Sequence, residues 1–436
     1  MSIADQTTLA TDRSGLLPSG PPLEVVVARD VGHVQETLRR ASRDGIPIVT
    51  RGAASGLAGA AVATGGEIVL DLSGLDRILS IDPVDGVARV EPGVITAELD
   101  RAARELGLFY APDPGSVGIS TIGGNIATNA GGLRGAKYGV TRDAVLALDV
   151  VLADGELVHV GRSTVKGVTG YDLAGLIVGS EGTLGVVVGA TLRLLPIPPH
   201  TATAIAYFDS LESAADAVAG IAVSGTRPSV LEIIDGATLQ AIDDAQGSTL
   251  HDRGEALLVV QTDGFGAEAE LAVVLAVLNA SAASVEWTTD AGEAEHLLAA
   301  RRLALPAIER LGRVLIEDIA VPRSRLAEAI REIGVIAERT GVRIFVFGHA
   351  GDGNLHPIIL IGGDAAQQIP EAARTAADAI FGLALRLGGT LTAEHGIGLL
   401  KREWVRAEVG DRVLALHGEL KRVLDPAGIL NPGKAF

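Results

Sequence analysis

A run of small residues over positions 115–132 constrains the fold more than any other part of this 436-residue chain. Its sequence, GSVGISTIGGNIATNAGG, offers few side chains that could build a hydrophobic core. Because glycine lets the backbone approach a neighbouring group closely, the run suits the lining of a long, flat ligand. Positions 51–59 (RGAASGLAG) and 179–185 (GSEGTLG) add to the same lining, and Arg51 supplies positive charge for a phosphate. The chain therefore predicts a fold built around an extended ligand.

Two common nucleotide-binding motifs do not fit this chain. No G-x-G-x-x-G stands between a strand and a helix, so a Rossmann NAD site is not expected. Residues 428–434 have the spacing of a P-loop, but Ala435 stands where Ser or Thr is needed and no helix can follow.

The periodicity of apolar residues predicts an α+β fold. Before a proline-rich boundary at 194–200, strands alternate with helices, and the helix at 31–44 carries Val34, Leu38 and Ala41 on one face. Asp154-Gly155 predicts a hairpin turn. Strands of the first part are predicted at 23–28, 47–50, 67–71, 86–91, 145–152 and 156–160, with a second helix at 96–106. Beyond the boundary, helices are predicted at 210–224, 267–278, 293–311, 325–340 and 371–387, and strands at 202–208, 256–262, 314–321, 342–347 and 356–361.

Composition excludes several classes of function. The chain has 36 Lys+Arg against 54 Asp+Glu, a net charge of −18, so no nucleic-acid partner is expected. It contains no cysteine, which excludes disulfides, iron–sulfur ligation and cysteine nucleophiles. The first residues predict no signal peptide, and the apolar runs are too short to cross a bilayer. We therefore expect a soluble, cytoplasmic protein.

Two short stretches near the end of the chain combine histidine with acids and glycine. FGHAGDGNLH places His349 and His356 around a Gly-Asp-Gly turn, and GGTLTAEHGIG contains Glu394 and His395. Two histidines and one glutamate with an open position form the ligand set of a catalytic zinc or a similar ion. The alternative, that each histidine satisfies a buried backbone group, is disfavoured by their clustering. Because His395 cannot easily share a metal with its neighbour, we predict that it is the general base.

Arg301 and Arg302 lie in an otherwise apolar predicted helix. An arginine at such a position is usually paired, or extends its charged end to solvent. The functional alternative is a bidentate clamp for a substrate carboxylate. The pattern alone leaves both interpretations open.

Seven motifs in order resemble the FAD-linked oxidoreductases of the vanillyl-alcohol oxidase type over nearly the full length of the chain. They are VTRG…G (49–59), VEPGV (90–94), the run at 116–132, YDL (171–173), GSEGTLG (179–185), FGHAGDGNLH (347–356) and GTLTAEHGIGLLK (389–401). The last two are specific for the subgroup that contains the glycolate oxidase catalytic subunit, D-lactate dehydrogenases and D-2-hydroxyglutarate dehydrogenase. Alanines at 53 and 54 depart from the glycine or asparagine that relatives more often carry.

The resemblance implies three parts. Residues 1–200 would form a two-subdomain, PCMH-type FAD-binding domain, 201–410 a cap domain with an antiparallel sheet and the metal site, and 411–436 a segment that returns to the FAD domain. A covalent flavin link is not expected, since the chain lacks cysteine and neither glycine stretch contains histidine. The residues implied for FAD are Arg51, Gly52, Ala53, Ala54, Ser55, Gly56, Leu57, Pro114, Gly115, Ser116, Gly118, Thr121, Gly123, Gly124, Asn125, Ala127, Thr128, Gly131, Gly132, Glu181, Gly182, Gly185, Val186 and Asn431.

The resemblance also implies a reaction. A D-2-hydroxy acid of the D-lactate, glycolate or D-2-hydroxyglutarate type would be oxidised to the 2-oxo acid, with hydride passing to flavin N5. His349, His356 and Glu394 would hold a divalent metal (Zn, Mn or Fe), and His395 would be the base. Asn354 and Arg301 would contact the substrate.

Several points stay open at the level of sequence. Relatives usually carry an aromatic residue at the position of Leu298, which weakens the assignment of Arg301, and Arg302, Arg386 and Lys401 are other available cations. The electron acceptor would be a quinone, a cytochrome, an electron-transfer flavoprotein or an iron–sulfur subunit. A homodimer and a peripheral membrane association through such a partner are compatible with the sequence. The alternative functions are a flavin oxidase that passes electrons from an alditol or phenol to O₂, and a non-catalytic flavoprotein subunit of a dehydrogenase complex.

Overall fold

The computed structural model describes residues 9–164, 166–362 and 369–435. The chain divides into two compact units. The first unit comprises Met1–Gly132, Gly139–Ile197 and Glu394–Phe436, and the second comprises Leu133–Tyr138 and Pro198–Ala393. The chain first enters the second unit for the short segment Leu133–Tyr138, which lies inside the predicted range 1–200. The main crossing follows Ile197, three residues before the predicted end at 200, and the return lies at Glu394, before the predicted position 411.

The first unit contains a parallel and an antiparallel sheet. Its strands are β1 (Glu24–Val27), β2 (Ile48–Arg51), β3 (Ile68–Asp71), β4 (Ile78–Asp82), β5 (Val87–Val90), β6 (Leu108–Phe109), β7 (Val145–Val151), β8 (Leu157–Gly161), β9 (Val186–Arg193) and β10 (Leu195–Pro196). The parallel sheet has the order β1-β3-β2, and the antiparallel sheet has the order β4-β5-β9-β7-β8. A two-stranded pairing of β6 with β10 accompanies them.

The helix Val31–Asp44 shows why the local sequence folds as predicted. Asp30 caps its start by accepting a hydrogen bond from the His33 amide at 2.8 Å, and Gly45 ends it with a left-handed φ of 67°. The predicted face, Val34, Leu38 and Ala41, is buried. The other helices of the first unit are Thr96–Arg104, Ile122–Thr128, Thr141–Ala144, Leu173–Ile177 and Arg402–Leu424, the last with a break at Gly410.

The second unit is built on one antiparallel sheet. Its strands are β11 (Thr201–Phe208), β12 (Val230–Asp235), β13 (Ala256–Asp263), β14 (Ser284–Thr288), β15 (Val314–Ile316), β16 (Ile319–Ala320), β17 (Ile344–His349) and β18 (Asn354–Leu360). The order is β14-β11-β13-β12-β17-β18-β15, with β16 also paired to β18. The helices are Gly135–Tyr138, Leu211–Val223, Gly236–Gln246, Ala267–Leu278, Ala291–Glu309, Leu326–Thr340 and Glu371–Arg386, and His251–Arg253 and Arg323–Arg325 are short 3₁₀ turns. The predicted α+β class is confirmed.

The hairpin of β17 and β18 positions the two histidines of the FGHAGDGNLH motif. His349 is the last residue of β17 and pairs with Asn354, while His356 on β18 pairs with Phe347. The strands run closer to the turn than the predicted ranges 342–347 and 356–361. His349 therefore lies within the sheet, where its backbone is fixed by strand pairing.

No helix in the described part of the chain is long and apolar enough to cross a membrane.

Candidate active site

His349 lies against a buried carboxylate on the neighbouring strand. Glu232 of β12 stands directly opposite His349 in the sheet register, and its side chain is fully buried. His349 Nδ1 is 2.6 Å from Glu232 Oε1. Because an ionised carboxylate only accepts hydrogen bonds, this contact places the imidazole proton on Nδ1. Nε2 is then the ring atom that can serve as a ligand or accept a proton.

Glu232 also holds Arg301, through its second oxygen. Arg301 Nε is 2.5 Å from Glu232 Oε2, and the guanidinium carbon is 4.5 Å from the centre of the Phe347 ring. The arginine side chain is only 15% exposed. The paired interpretation of Arg301 therefore applies, and the same contacts hold its guanidinium in one orientation.

His356 has a second buried carboxylate beside it. Its ring centre is 5.1 Å from that of His349, with the two ring planes at 86°. His356 Nδ1 lies 3.8 Å from Asp318 Oδ1, and Asp318 is fully buried. Asp318 is itself held by Thr392 Oγ1 at 2.7 Å and by the Ala393 amide at 2.9 Å. Within the second unit, each of the two histidines thus lies beside a buried acid.

Asn354 uses both of its amide hydrogens within the second unit. Nδ2 donates to Asp318 Oδ1 at 2.7 Å and to the Ile319 carbonyl at 2.9 Å. The residue is 4% exposed. A substrate contact by Asn354, which stays a prediction, would therefore use its amide oxygen as acceptor.

Glu394 and His395 belong to the first unit, whereas His349 and His356 belong to the second. Glu394 Oε1 is 3.7 Å from His395 Nε2, and both side chains are largely buried. A Cβ at Gly131 would lie 2.6 Å from Glu394 Oε2, so a larger residue at this position would displace the Glu394 carboxylate. The grouping of Glu394 with the two histidines as one ligand set stays a prediction.

The glycine stretches of the first unit carry strained backbone. Ala54, Asn129 and Glu181 have left-handed φ angles of 52°, 56° and 52°, which residues other than glycine rarely adopt. Within the described chain, no atom lies within 4 Å of a Cβ placed on Gly115 or Gly118. The backbone there has space on one side, as the lining of a ligand requires.

Several polar side chains implied for FAD form hydrogen bonds within the first unit. Thr121 Oγ1 caps the helix Ile122–Thr128 by accepting from the Gly124 amide at 3.2 Å. Asn125 donates to Thr96 Oγ1 at 2.7 Å. Asn431 donates to the carbonyls of Ala60 at 3.0 Å and Glu181 at 2.7 Å. Their side chains fix the backbone that would face the cofactor.

Arg51 is directed into the first unit itself. Its Nε lies 3.6 Å from Asp71 Oδ2, and its Nη1 donates to the Leu9 carbonyl. Burial lowers the pKa of the Arg51 guanidinium below its usual value, while Asp71 acts in the opposite direction. Part of the charge predicted for a phosphate is therefore balanced by Asp71.

The sequence analysis missed two residues of this site, Glu232 and Asp318. A signal for Glu232 was present, because it is an acid inside the apolar run Val-Leu-Glu-Ile-Ile of β12. A charge at a strand position that should be buried points to a partner or a function. The Glu317-Asp318 pair in the predicted strand 314–321 carried the same signal, and the strand is interrupted there.

Sequence profiles of two families match the chain. The family of FAD linked oxidases, C-terminal domain, matches residues 197–435, and the FAD binding domain family matches residues 22–161. The chain is 40% identical over 419 residues to the glycolate oxidase subunit GlcD of Bacillus subtilis, covering 95% of this chain and 89% of the relative. It is 35% identical to a D-lactate dehydrogenase of Archaeoglobus fulgidus, covering 94% and 90%. It is 33% identical to the mitochondrial D-lactate dehydrogenase [cytochrome] of Arabidopsis thaliana, covering 95% and 73%.

Two solved structures share the fold. p-Cresol methylhydroxylase with bound substrate superposes with a TM-score of 0.79 at 17% identity, covering 99% of this chain and 92% of that one. The 4-ethylphenol oxidase of Gulosibacter chungangensis superposes with a TM-score of 0.76 at 18% identity, with the same coverage. At such low identity these structures establish the fold alone.

Proposed function

The chain belongs to the FAD-linked oxidases, and on that premise we propose that it oxidises a D-2-hydroxy acid to the 2-oxo acid. The observation that carries the proposal is the pair of buried imidazoles, His349 and His356, each beside a buried carboxylate. Relatives named for glycolate and D-lactate support the same class of substrate.

The first unit fits FAD by its backbone. Gly115 and Gly118 have free space where a side chain would stand, so a ligand can approach the backbone closely there. When bound, FAD supplies a hydride acceptor at flavin N5. The chain's own contribution is to keep the flavin-lining stretch rigid, through contacts such as that of Asn431 with the Glu181 carbonyl.

The second unit fits a divalent metal by its donor chemistry. Glu232 fixes the proton of His349 on Nδ1 and thereby directs Nε2 as the ligand atom, a common arrangement behind metal-binding histidines. A zinc, manganese or iron ion supplies a Lewis acid that lowers the pKa of a substrate hydroxyl. We propose His349, His356 and Glu394 as the ligands.

Three further residues would act on the substrate directly. His395 would accept the hydroxyl proton, a role that suits imidazole near neutral pH. Arg301, whose orientation is set by Glu232 and Phe347, would hold the substrate carboxylate. The amide oxygen of Asn354 would accept a hydrogen bond from the substrate. The electrons would then pass to an acceptor other than O₂, in agreement with a relative named for cytochrome.

Anaerobic flavin bleaching tests the proposal. The purified protein is mixed with a panel of D- and L-2-hydroxy acids, a phenol and an alditol, and the loss of the flavin's visible absorbance is followed. We expect reduction by at least one D-2-hydroxy acid, slowed about 100-fold or more by His395→Ala. The control is His159→Ala, which removes a half-exposed histidine that faces Asp149 in the first unit. Reduction by the phenol or alditol alone, or an undiminished rate in His395→Ala, would contradict the proposal.

A metal titration tests the ligand set separately. Chelation should abolish bleaching by the D-2-hydroxy acid, and added Zn²⁺, Mn²⁺ or Fe²⁺ should restore it. His349→Ala should lower the amount of metal bound per chain without releasing FAD. Full activity in a demonstrably metal-free protein would remove the metal from the mechanism.

A further inference from the structure

The carboxylate of Glu181 holds the backbone that follows His395. Its Oε1 accepts a hydrogen bond from the Ile397 amide at 2.6 Å, and its Oε2 accepts one from the Gly398 amide at 2.8 Å. Glu181 is 5% exposed. We use the name His395 loop for residues 394–401, all of which lie in the first unit with Glu181. Both oxygens of one buried acid are therefore used to fix two consecutive amides of this loop.

The same loop is docked on the stretch 51–59. The Leu399 amide donates to the Ala58 carbonyl at 2.9 Å. A Cβ at Gly398 would lie 2.1 Å from that carbonyl oxygen, so only glycine allows the approach. The His395 loop is thus tied at adjacent residues to two of the stretches that would line FAD.

The backbone of Glu181 has a strained conformation, and Asn431 holds its carbonyl group. Its φ is 52°, and its carbonyl accepts from Asn431 Nδ2 at 2.7 Å. Lys434 Nζ donates in turn to Asn431 Oδ1 at 2.8 Å. A left-handed residue other than glycine persists only where its surroundings determine it, and such residues concentrate at functional sites.

Burial raises the pKa of the Glu181 carboxyl group above its usual value, and the two amide hydrogen bonds oppose this without cancelling it. Lys401 also favours the ionised form, whereas Asp12 disfavours it. An ionised acceptor makes each of the two amide contacts stronger than a neutral one would.

We propose that Glu181 is a positioning residue for His395, and that through it the flavin-lining turn sets the place of the base. The side chain of Glu181 then serves the protein backbone, although its sequence position suggested a cofactor contact. The inference rests on the proposed role of His395 as base. A displacement of about 1 Å in a catalytic group can cost about 100-fold in rate, so the two amide contacts affect turnover without touching the substrate.

Glu181→Gln tests the inference with little change in size. The glutamine keeps one acceptor oxygen and presents an NH₂ donor to the second amide, so one contact is lost. In the FAD-loaded protein we expect hydrogen exchange at Ile397 and Gly398 to accelerate about tenfold or more. We expect flavin reduction at saturating substrate to slow about tenfold, with KM and FAD affinity changed less than about threefold.

The matched control is Glu67→Gln. Glu67 is also a buried acid of the first unit, and it accepts from the amides of Thr64 at 2.9 Å and Gly65 at 2.5 Å. Its substitution should leave exchange in the His395 loop and the rate of flavin reduction as in the wild type. Equal slowing of reduction in both variants, or exchange at Ile397 and Gly398 unchanged by Glu181→Gln, would overturn the inference.

Two readouts separate this inference from the proposed function. If no 2-hydroxy acid reduces the wild-type flavin, the proposed function fails, while the exchange measurement still decides whether Glu181 holds the loop. If the Glu181→Gln variant does not fold, amide hydrogen exchange in the wild-type protein decides whether Glu181 holds the loop. Amides of Ile397 and Gly398 that exchange as fast as exposed loop amides would contradict the contacts, and slow exchange would support them.

Discussion

At the scale of single residues, Glu232 is the point on which the second unit's site depends. One carboxylate oxygen faces His349 Nδ1 at 2.6 Å and the other faces Arg301 Nε at 2.5 Å. All three side chains are largely buried. A buried ion pair that loses one partner leaves an uncompensated charge, which is strongly destabilising. The proposed metal ligand His349 and the proposed substrate clamp Arg301 therefore both depend on the carboxylate of Glu232.

Replacing Glu232 by glutamine should weaken both partners at once. The amide keeps a single acceptor oxygen, so either His349 or Arg301 faces an NH₂ group instead. We expect metal affinity to fall about 10- to 100-fold. We also expect the free energy of unfolding to fall by about 3 kcal/mol. The measurements are metal bound per chain after equilibration with buffered zinc, and denaturant unfolding.

Asp263→Asn is the control for that experiment. Asp263 is a buried acid at the end of β13 and pairs with Lys137 Nζ at 2.5 Å, as well as accepting from Tyr138 Oη at 2.8 Å. Its substitution should lower stability and leave zinc affinity unchanged. An equal loss of zinc in both variants would mean that Glu232 acts through general destabilisation of the second unit.

At the scale of elements, Asp235 joins a strand to a helix. It ends β12 and caps the helix Gly236–Gln246 by accepting from the Thr238 amide at 2.8 Å, and it also accepts from the Val346 amide of β17 at 2.8 Å. Burial raises the pKa of the Asp235 carboxyl group to about 6, and these hydrogen bonds act in the opposite direction. Between pH 3.8, the ordinary pKa of an aspartic acid side chain, and about pH 6, this group binds more protons in the folded state than in the unfolded state.

Asp235→Asn should therefore change how stability depends on pH. In the wild type, the protonated Asp235 contributes to the free energy of unfolding. This contribution is fully present below pH 3.8 and is lost as pH rises through about 6. Relative to the variant, the wild type should lose about 2 kcal/mol between pH 4 and pH 7. Denaturant unfolding of both proteins across this range measures the difference. A difference that is flat with pH would show that Asp235 titrates normally.

The sequence predicted elements wherever the periodicity of apolar residues was distinct. The helix Val31–Asp44 and the hairpin β7–β8 lie where they were predicted. The strand β12 and the helix Gly236–Gln246 were missed, because no loop separates them and their buried residues do not form a simple alternation or one helical face. The strand predicted at 314–321 was broken in two, because Asp318 turns inward to bind Asn354 and Thr392.

The site was predictable only in part for a related reason. Local motifs identified the histidines and the Glu394-His395 pair, since their residues are adjacent in sequence. Glu232 acts on His349 across 117 residues, and Glu181 acts on Ile397 across 216. Strand pairing and chain return create such contacts, and no short motif records them. The folded structure was therefore needed to show which acid lies beside which histidine.

At the scale of the whole molecule, residues near the end of the chain pair with β2, the edge strand of the parallel sheet in the first unit. The Ile48 amide of β2 donates to the Ile429 carbonyl at 2.7 Å, and the Asn431 amide donates to the Ile48 carbonyl at 2.8 Å. Asp425 accepts from Lys421 Nζ at 2.5 Å and from the Leu430 amide at 2.7 Å. The tail from 425 onwards thus adds pairing to the same sheet that carries the stretch 51–59.

Each unit also contains one of the chain's two tryptophans, which allows the units to be followed separately. Trp404 lies in the first unit and Trp287 in the second. Replacing one of them by phenylalanine leaves fluorescence that reports on the unit containing the other.

Removal of residues 425–436 should destabilise the first unit selectively. Ile429 and Leu430 are 1% and 0% exposed, and burial of such a side chain contributes about 1.5–3 kcal/mol. Together with the lost hydrogen bonds, this is a large share of the roughly 5–15 kcal/mol that stabilises a folded domain.

In a Trp287→Phe background, truncation should shift the Trp404 transition to lower temperature by about 10 °C or more and release FAD. In a Trp404→Phe background, the Trp287 transition should shift by less than about 3 °C, because the strands β11–β18 and their helices lie outside the deleted segment. Equal shifts in the two backgrounds would mean that the units unfold as one cooperative body, and that the tail stabilises the whole molecule.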